Sequence, residues 1–313
     1  MKIIFIATGK FGAQVLKKLA QTEYKPDFLI CALDKPTGRK YTLSPCPAKE
    51  IAQKKKIKVL SFKTLKDKDA FRKIQEIQPD LIIVADTNFI LPQKILDIPK
   101  YKCLNVHPSL LPKFRGPSPI KSAILWGEKK TGVSLIQMDE KIDHGPIIAK
   151  KEMPIADRNT YLTLRDKLAQ LGARLLIEIL PQWTSFKIKP LAQKDGKAIY
   201  TKKFKKEDGL IDWKKSAQEI EQKIRALNPW PGTYTFFNHQ DRKKRLKILA
   251  AQVIDVKINN LEEGKIKKVA NKKMGVLCGK GTLILSKIQI EGKKEMTGEA
   301  FLNGYKNVKK LTA

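Results

Sequence analysis

The sequence predicts an α/β domain with a mostly parallel sheet, followed by a small all-β domain of the OB-barrel type. In the first half, short apolar runs alternate with helical periodicities. Toward the end of the chain, short β-like runs follow one another closely. Between them the lysine-rich stretch 190–206 has little apolar periodicity and is read as a linker. The expected organisation is a first domain over 1–189, the linker 190–206 and a second domain over 207–313.

Each element has a local cause. Residues 3–7 are a continuous apolar run of strand length, and 11–20 carry Val15, Leu16 and Leu19 on one helical face. Residues 28–32 are strand-like, and 66–77 place Ala70, Phe71, Ile74 and Ile77 at helical spacing. The runs 81–85, 104–106 and 133–136 have the uninterrupted apolar character of strands buried on both faces. A long helical pattern, 160–180, closes this half. In such sheets ligands bind beyond the carboxyl ends of the strands. In the second half, Ser216 and Glu219 have capping-box spacing ahead of Ile220, Ile224 and Leu227, and Asn228-Pro229-Trp230-Pro231-Gly232 ends that helix. The β-like runs 233–237, 246–256, 265–269, 275–278 and 283–290 suit a small barrel.

Composition narrows the function classes. No apolar run approaches the roughly 20 residues needed to span a bilayer. The apolar start is too short for a secretory signal and runs into Thr8-Gly9-Lys10, so no membrane association and a cytoplasmic location are expected. Cys31, Cys46, Cys103 and Cys278 fit neither a zinc site nor a disulfide framework and are read as reduced thiols. A formal net charge of +32 points to a polyanionic partner. The lysines are scattered over almost every segment, as a compositional bias would also leave them, so charge alone does not say which polyanion.

The chemistry-bearing residues lie in two segments. Asn105 and His107 stand at the carboxyl end of an expected strand, where period-two alternation points both side chains to one face. Pro108 and the following residues turn the chain away. Asp143 lies in a loop beyond a second expected strand end. An amide and an imidazole can donate to an oxyanion, and a carboxylate can orient the imidazole or take a proton from an attacking amine. Taken singly, Asn-x-His also suits a plain turn, and Asp before Gly suits turn chemistry. His107, Asp143 and His144 match no familiar metal-ligand spacing.

Residues 105–116, Asn-Val-His-Pro-Ser-Leu-Leu-Pro-Lys-Phe-Arg-Gly, closely resemble the signature of the folate-dependent formyltransferases. So do Thr131-Gly132-Val133-Ser134 and, through Gln137-Met138-Asp139, Asp143-His144-Gly145-Pro146. The basic stretch Asp34-Lys35-Pro36-Thr37-Gly38-Arg39-Lys40, continuing to Ser44-Pro45-Cys46-Pro47, looks like the loop that the tRNA-acting members insert near the active site. Gly209-Leu210-Ile211-Asp212-Trp213 and 225–232 are similar to those members' second domain. The resemblance covers essentially the whole chain. It implies a Rossmann-like first domain, a tRNA-binding second domain, and formyl transfer from 10-formyltetrahydrofolate to the methionine amino group of initiator Met-tRNA. Asn105, His107 and Asp143 match the family's catalytic trio, and Ser109, Leu110, Leu111 and Pro112 match its folate-binding turn. Lys35, Arg39 and Lys40 fall in the tRNA-binding loop, which the composition predicts to lack regular structure. No metal and a monomeric protein are expected.

Two places depart from the family pattern. The first strand usually ends Gly-Thr-Pro-Glu-Phe, where this chain has Ala7-Thr8-Gly9-Lys10-Phe11. Ala-Tyr-Gly or Ala-Phe-Gly usually precedes Ile-Leu-Pro, where this chain has Ala85-Asp86-Thr87-Asn88-Phe89. His144 stands where a small residue or Thr is usual and is expected to add a polar contact beside Asp143. Rival readings are a sugar-nucleotide formyltransferase, against which the basic loop speaks, and a non-catalytic RNA-binding protein, against which the intact trio speaks.

Overall fold

A computed structural model of the chain describes residues 1–37, 42–254, 262–269 and 273–313. They form two compact units. The first comprises Met1–Pro119, Lys129–Ile155 and Leu162–Thr201; the second comprises Ile120–Glu128, Ala156–Tyr161 and Lys202–Ala313.

In chain order the first unit contains β1 (Ile3–Ile6), α1 (Lys10–Leu19), β2 (Phe28–Ala32), β3 (Lys35–Thr37), β4 (Thr42–Ser44), α2 (Pro47–Lys54) and β5 (Lys58–Phe62). It continues with α3 (Lys68–Ile77), β6 (Leu81–Val84), α4 (Gln93–Leu96) and β7 (Cys103–His107). After α5 (Pro119–Leu125), which from Ile120 on belongs to the second unit, come β8 (Lys130–Gln137), β9 (Ile147–Pro154) and α6 (Tyr161–Thr184). The main sheet has the order β5-β2-β1-β6-β7-β8-β9 among the described strands. The first five are mutually parallel, and β7–β8 and β8–β9 are antiparallel. The short connection 138–146 accounts for the last pairing, because parallel neighbours need a crossover of a dozen residues or more.

Alternation along β7 positions the site. Cys103 joins the cluster of Ile4, Ile6, Ile82, Val84 and Ile74 on one face. Val106 points to the other face, under α6, where Gly172 lets the helix approach: a Cβ there would stand 2.8 Å from Val106 Cγ1. Asn105 and His107 are thereby left on the Cys103 face. The loop expected to lack regular structure carries the short antiparallel pair β3–β4, with Lys35 opposite Ser44 and Pro36 opposite Leu43. Backbone pairing of three residues makes little demand on side chains, which is why loop composition did not reveal it.

The second unit contains α7 (Ala217–Leu227), β10 (Thr233–His239), β11 (Arg242–Ile254), β12 (Ile266–Val269), β13 (Lys273–Leu277), β14 (Thr282–Ile290), β15 (Glu295–Met296) and α8 (Gly298–Gly304). Its described strands pair antiparallel in the order β10-β11-β14-β13-β12, with β15 on β14, in a curled half-barrel of the OB-like kind. Register shifts at Ile248 to Ala251 bend the long β11. The expected strand 246–256 is strand through Ile254, and residues 255 and 256 lie outside the described residues. Phe237, Phe301 and Tyr305 pack ring to ring in the core, and Trp213 Nε1 donates to Thr235 Oγ1 at 3.0 Å. The capping box of α7 is present, Glu219 N donating to Ser216 Oγ at 3.2 Å and Ser216 N to Glu219 Oε2 at 2.9 Å.

The stretch expected as a linker is bound into the first unit along much of its length. Leu191 and Ile147 exchange backbone hydrogen bonds of 2.7 and 2.8 Å. Arg115 N donates to Ile199 O, and Thr201 N to Arg115 O, both at 2.8 Å.

Candidate active site

Asn105, His107 and Asp143 meet. Asn105 Nδ2 donates to Asp143 Oδ1 at 3.0 Å, and His107 Nδ1 stands 3.5 Å from the same oxygen. The backbone N–H of Gly116 donates to Asp143 Oδ2 at 2.8 Å. The imidazole is buried, and its Nε2 lies 2.9 Å from Phe114 O. A carbonyl only accepts, so Nε2 carries the proton and Nδ1 is the nitrogen that faces the carboxylate. Nδ1 therefore donates only when the ring is fully protonated. One N–H of the Asn105 amide is committed to Asp143, leaving the other able to donate elsewhere.

The route by which Asp143 arrives differs from the one expected. Two carboxyl strand ends lying side by side would require parallel strands. Here β8 runs antiparallel to β7, with Gln137 opposite Leu104, so the carboxyl end of β8 lies beside the amino end of β7. The loop after β8 returns across the sheet face to bring Asp143 to Asn105 and His107. Asp143 adopts a left-handed backbone, φ 50°. Gly145 is obligatory beneath it, because a Cβ there would lie 1.9 Å from Gln137 O. His144 contacts not the trio but two other carboxylates, Asp139 Oδ2 at 2.6 Å and Asp195 Oδ2 at 3.4 Å.

The turn 109–112 is tightly held. Ser109 is fully buried and its Oγ donates to Lys113 O at 2.7 Å. Ser134 Oγ donates to Ser109 O at 2.8 Å and accepts from Leu111 N at 3.0 Å. Leu111 is buried, while Leu110 and Pro112 stay half-exposed beside the trio's strand. Of the residues expected to meet tRNA, Lys35 is exposed on β3; Gly38, Arg39 and Lys40 lie outside the described residues. Among the described residues no group of His, Cys, Asp and Glu side chains could hold a metal ion, and no helix is long and apolar enough to cross a membrane.

The two departures from the family pattern touch each other. Thr8 N and Gly9 N donate to Asp86 O at 3.1 and 3.0 Å, and Phe11 N to Asp86 Oδ2 at 2.9 Å. A Cβ on residue 9 would stand 2.0 Å from that carboxylate oxygen. Asp86 thus serves as an acceptor at the start of α1, and Gly9 makes room for it. The two departures are far apart in the sequence and in direct contact in the structure.

Fold and site together describe a two-unit protein whose α/β unit brings an amide, an imidazole and a carboxylate into one cluster suited to acyl-group transfer. Residues 1–180 match the formyl transferase family and residues 203–306 its C-terminal domain, so the chain belongs to that family. It is 40% identical over 306 residues to the methionyl-tRNA formyltransferase of Bacillus subtilis, covering 97% of this chain and 94% of that one. It is 39% identical over 308 residues to the methionyl-tRNA formyltransferase of Bacillus velezensis, covering 98% and 95%. Among solved structures, an N-formyltransferase from Helicobacter canadensis in complex with folinic acid and dTDP-3-aminofucose shares the fold, with a TM-score of 0.67 at 18% identity over 91% of this chain and 98% of that one.

Proposed function

We propose that the chain transfers the formyl group of 10-formyltetrahydrofolate to the amino group of methionine carried by initiator tRNA. The observation that carries the reading is the cluster in which Asp143 accepts a hydrogen bond from Asn105 and stands 3.5 Å from His107 Nδ1, in a chain similar along its whole length to methionyl-tRNA formyltransferases. The folate supplies the activated formyl group. The half-exposed Leu110 and Pro112 of the 109–112 turn are suited to pack against its ring system.

The residues divide the work. The free N–H of Asn105 donates to the oxygen that gains negative charge as the amine attacks, and the His107 ring, when protonated, adds positive charge beside it. A preorganised donor of this kind contributes about 3–4 kcal/mol. Asp143 takes the proton that the amine must lose; the formyl C–N10 bond of the folate then breaks and that proton passes to N10, which leaves as tetrahydrofolate. The Gly116 N–H on Oδ2 and the Asn105 amide on Oδ1 hold its carboxylate in place for that task. Lys35, Arg39 and Lys40 supply positive charge toward the tRNA.

The test is formyl transfer measured with methionine-charged initiator tRNA and 10-formyltetrahydrofolate, beside a parallel assay with aminosugar nucleotides as acceptors. Formyl-methionyl-tRNA is expected. Transfer to the sugars alone, or tRNA binding with no transfer to either acceptor, overturns the reading.

A further inference from the structure

The segment between the two family matches, which end at residue 180 and resume at 203, closes on the loop that carries Asp143. One Gln193 amide donates through Nε2 to two carbonyls of that loop, Asp143 O at 2.9 Å and Gly145 O at 2.8 Å. Its Oε1 accepts from Arg115 Nε at 3.1 Å and Nη2 at 2.9 Å. Arginine has donors only, so the oxygen must face Arg115 and the nitrogen must face the loop; the amide has no alternative orientation. Arg115 is 1% exposed and also donates to Tyr200 Oη at 3.0 Å and Asp195 Oδ1 at 2.9 Å. The second oxygen of Asp195 reaches His144 Nε2 at 3.4 Å, and His144 Nδ1 reaches Asp139 Oδ2 at 2.6 Å. The residues on either side of the Asp143 carbonyl are therefore tied, by amide and by imidazole, to one buried guanidinium.

We infer that Gln193, oriented by Arg115, is a positioning residue for formyl transfer: its paired hydrogen bonds set the backbone of the Asp143 loop and so aim the Asp143 carboxylate. This rests on the reading of Asp143 as the proton acceptor. Asp143 is in a left-handed conformation, which Asp tolerates better than most non-glycine residues but which the bonds around it must hold. Its carboxylate must stay within hydrogen-bond reach of Asn105 and of Gly116 at once. A displacement of about 1 Å at a reacting group can cost a hundredfold in rate. Removing the two bonds from Gln193 frees the loop carbonyls without touching any group that meets substrate, so its effect falls on turnover and not on binding.

The experiment compares the parent, Gln193→Met, Gln193→Glu, Asp143→Asn and the double variant Gln193→Met/Asp143→Asn as full-length chains. Formyl transfer to charged initiator tRNA is followed at steady state and in single turnover, with urea unfolding of each protein. Gln193→Met keeps the side chain's length and removes both loop bonds. Gln193→Glu keeps the bonds to Arg115 and sets acceptor against acceptor at the loop. Both are expected to lower kcat at least about tenfold with KM for tRNA within about twofold of the parent. Gln193→Met is expected to add no further loss in the Asp143→Asn background, because the two act as a unit. Parental kcat in both Gln193 variants, with Asp143→Asn slow, overturns the inference alone. Multiplying losses in the double variant also overturn it, since Gln193 then acts through something else. A raised KM with unchanged kcat assigns Gln193 to binding and likewise overturns it. Parental turnover in Asp143→Asn overturns the reading of Asp143 itself and this inference with it. Should Gln193→Met unfold at lower urea, Gln193→Glu with a parental midpoint decides the matter by the same kinetics.

Discussion

At the scale of single residues, the trio makes a clear prediction. Asn105→Ala, His107→Ala and Asp143→Asn should each slow the chemical step by about a hundredfold or more, with tRNA KM little changed, because in the proposed function each removes a group that acts on charge developing during reaction. Single-turnover formylation measures it, and near-normal turnover in any one variant removes that residue from the mechanism. The thiols offer a second prediction. Cys46 is held below its usual range, first by a hydrogen bond from the Cys31 thiol and then by the backbone N–H groups of Lys49 and Ala48 at the start of α2. Burial pushes the Cys278 thiol up to about 12 and Cys103 higher still. Iodoacetamide at neutral pH should therefore label Cys46 first, since the thiolate is the nucleophile. Peptide mass spectrometry over a time course reads the order, and equal labelling of all four cysteines would sink the assignment.

At the scale of elements, the start of α1 and the turn after β6 behave as a pair. Gly9→Ala sets a Cβ against the Asp86 carboxylate and should destabilise the chain by about 1–3 kcal/mol. Asp86→Ala in the same chain should restore most of that loss, giving a strong coupling in a double-mutant cycle by urea unfolding. Additive effects would mean that the two positions are independent.

At the scale of the whole molecule, the net charge of +32 matters through its partner. Binding to tRNA should weaken steeply with salt as counterions are released. Arg39→Ala should lower kcat/KM for charged tRNA and shallow the log–log salt slope by about one unit. Lysine there should rescue only in part, since it supplies charge without the guanidinium fork. Formylation at the parental rate across salt concentrations would make Arg39 ordinary surface charge. Folate binding belongs to the trio and the 109–112 turn in the proposed function, and should be unchanged in this variant.

What the sequence by itself determined was whatever has a local signal. The apolar runs of β1, β6 and β7, the helical faces of α1 and α3 and the capping box of α7 are legible because burial on a regular element repeats at a fixed period. Alternation along β7 already placed Asn105 and His107 together. The two main-sheet strands that escaped notice, β5 and β9, are its two edges: Lys58–Phe62 is only half-buried, and Ile147–Pro154 carries Lys150, Lys151 and Glu152. An edge strand is wet on one side, so it lacks the continuous apolar run that marked its neighbours. Tertiary structure alone decided the direction of β8, the return of the Asp143 loop across the sheet and the union of Gly9 with Asp86. It also decided that Gln193, in a stretch without periodicity, holds a loop 50 residues earlier in the chain. A hydrogen bond between distant segments imposes no spacing on either one, and so leaves nothing in the sequence to read.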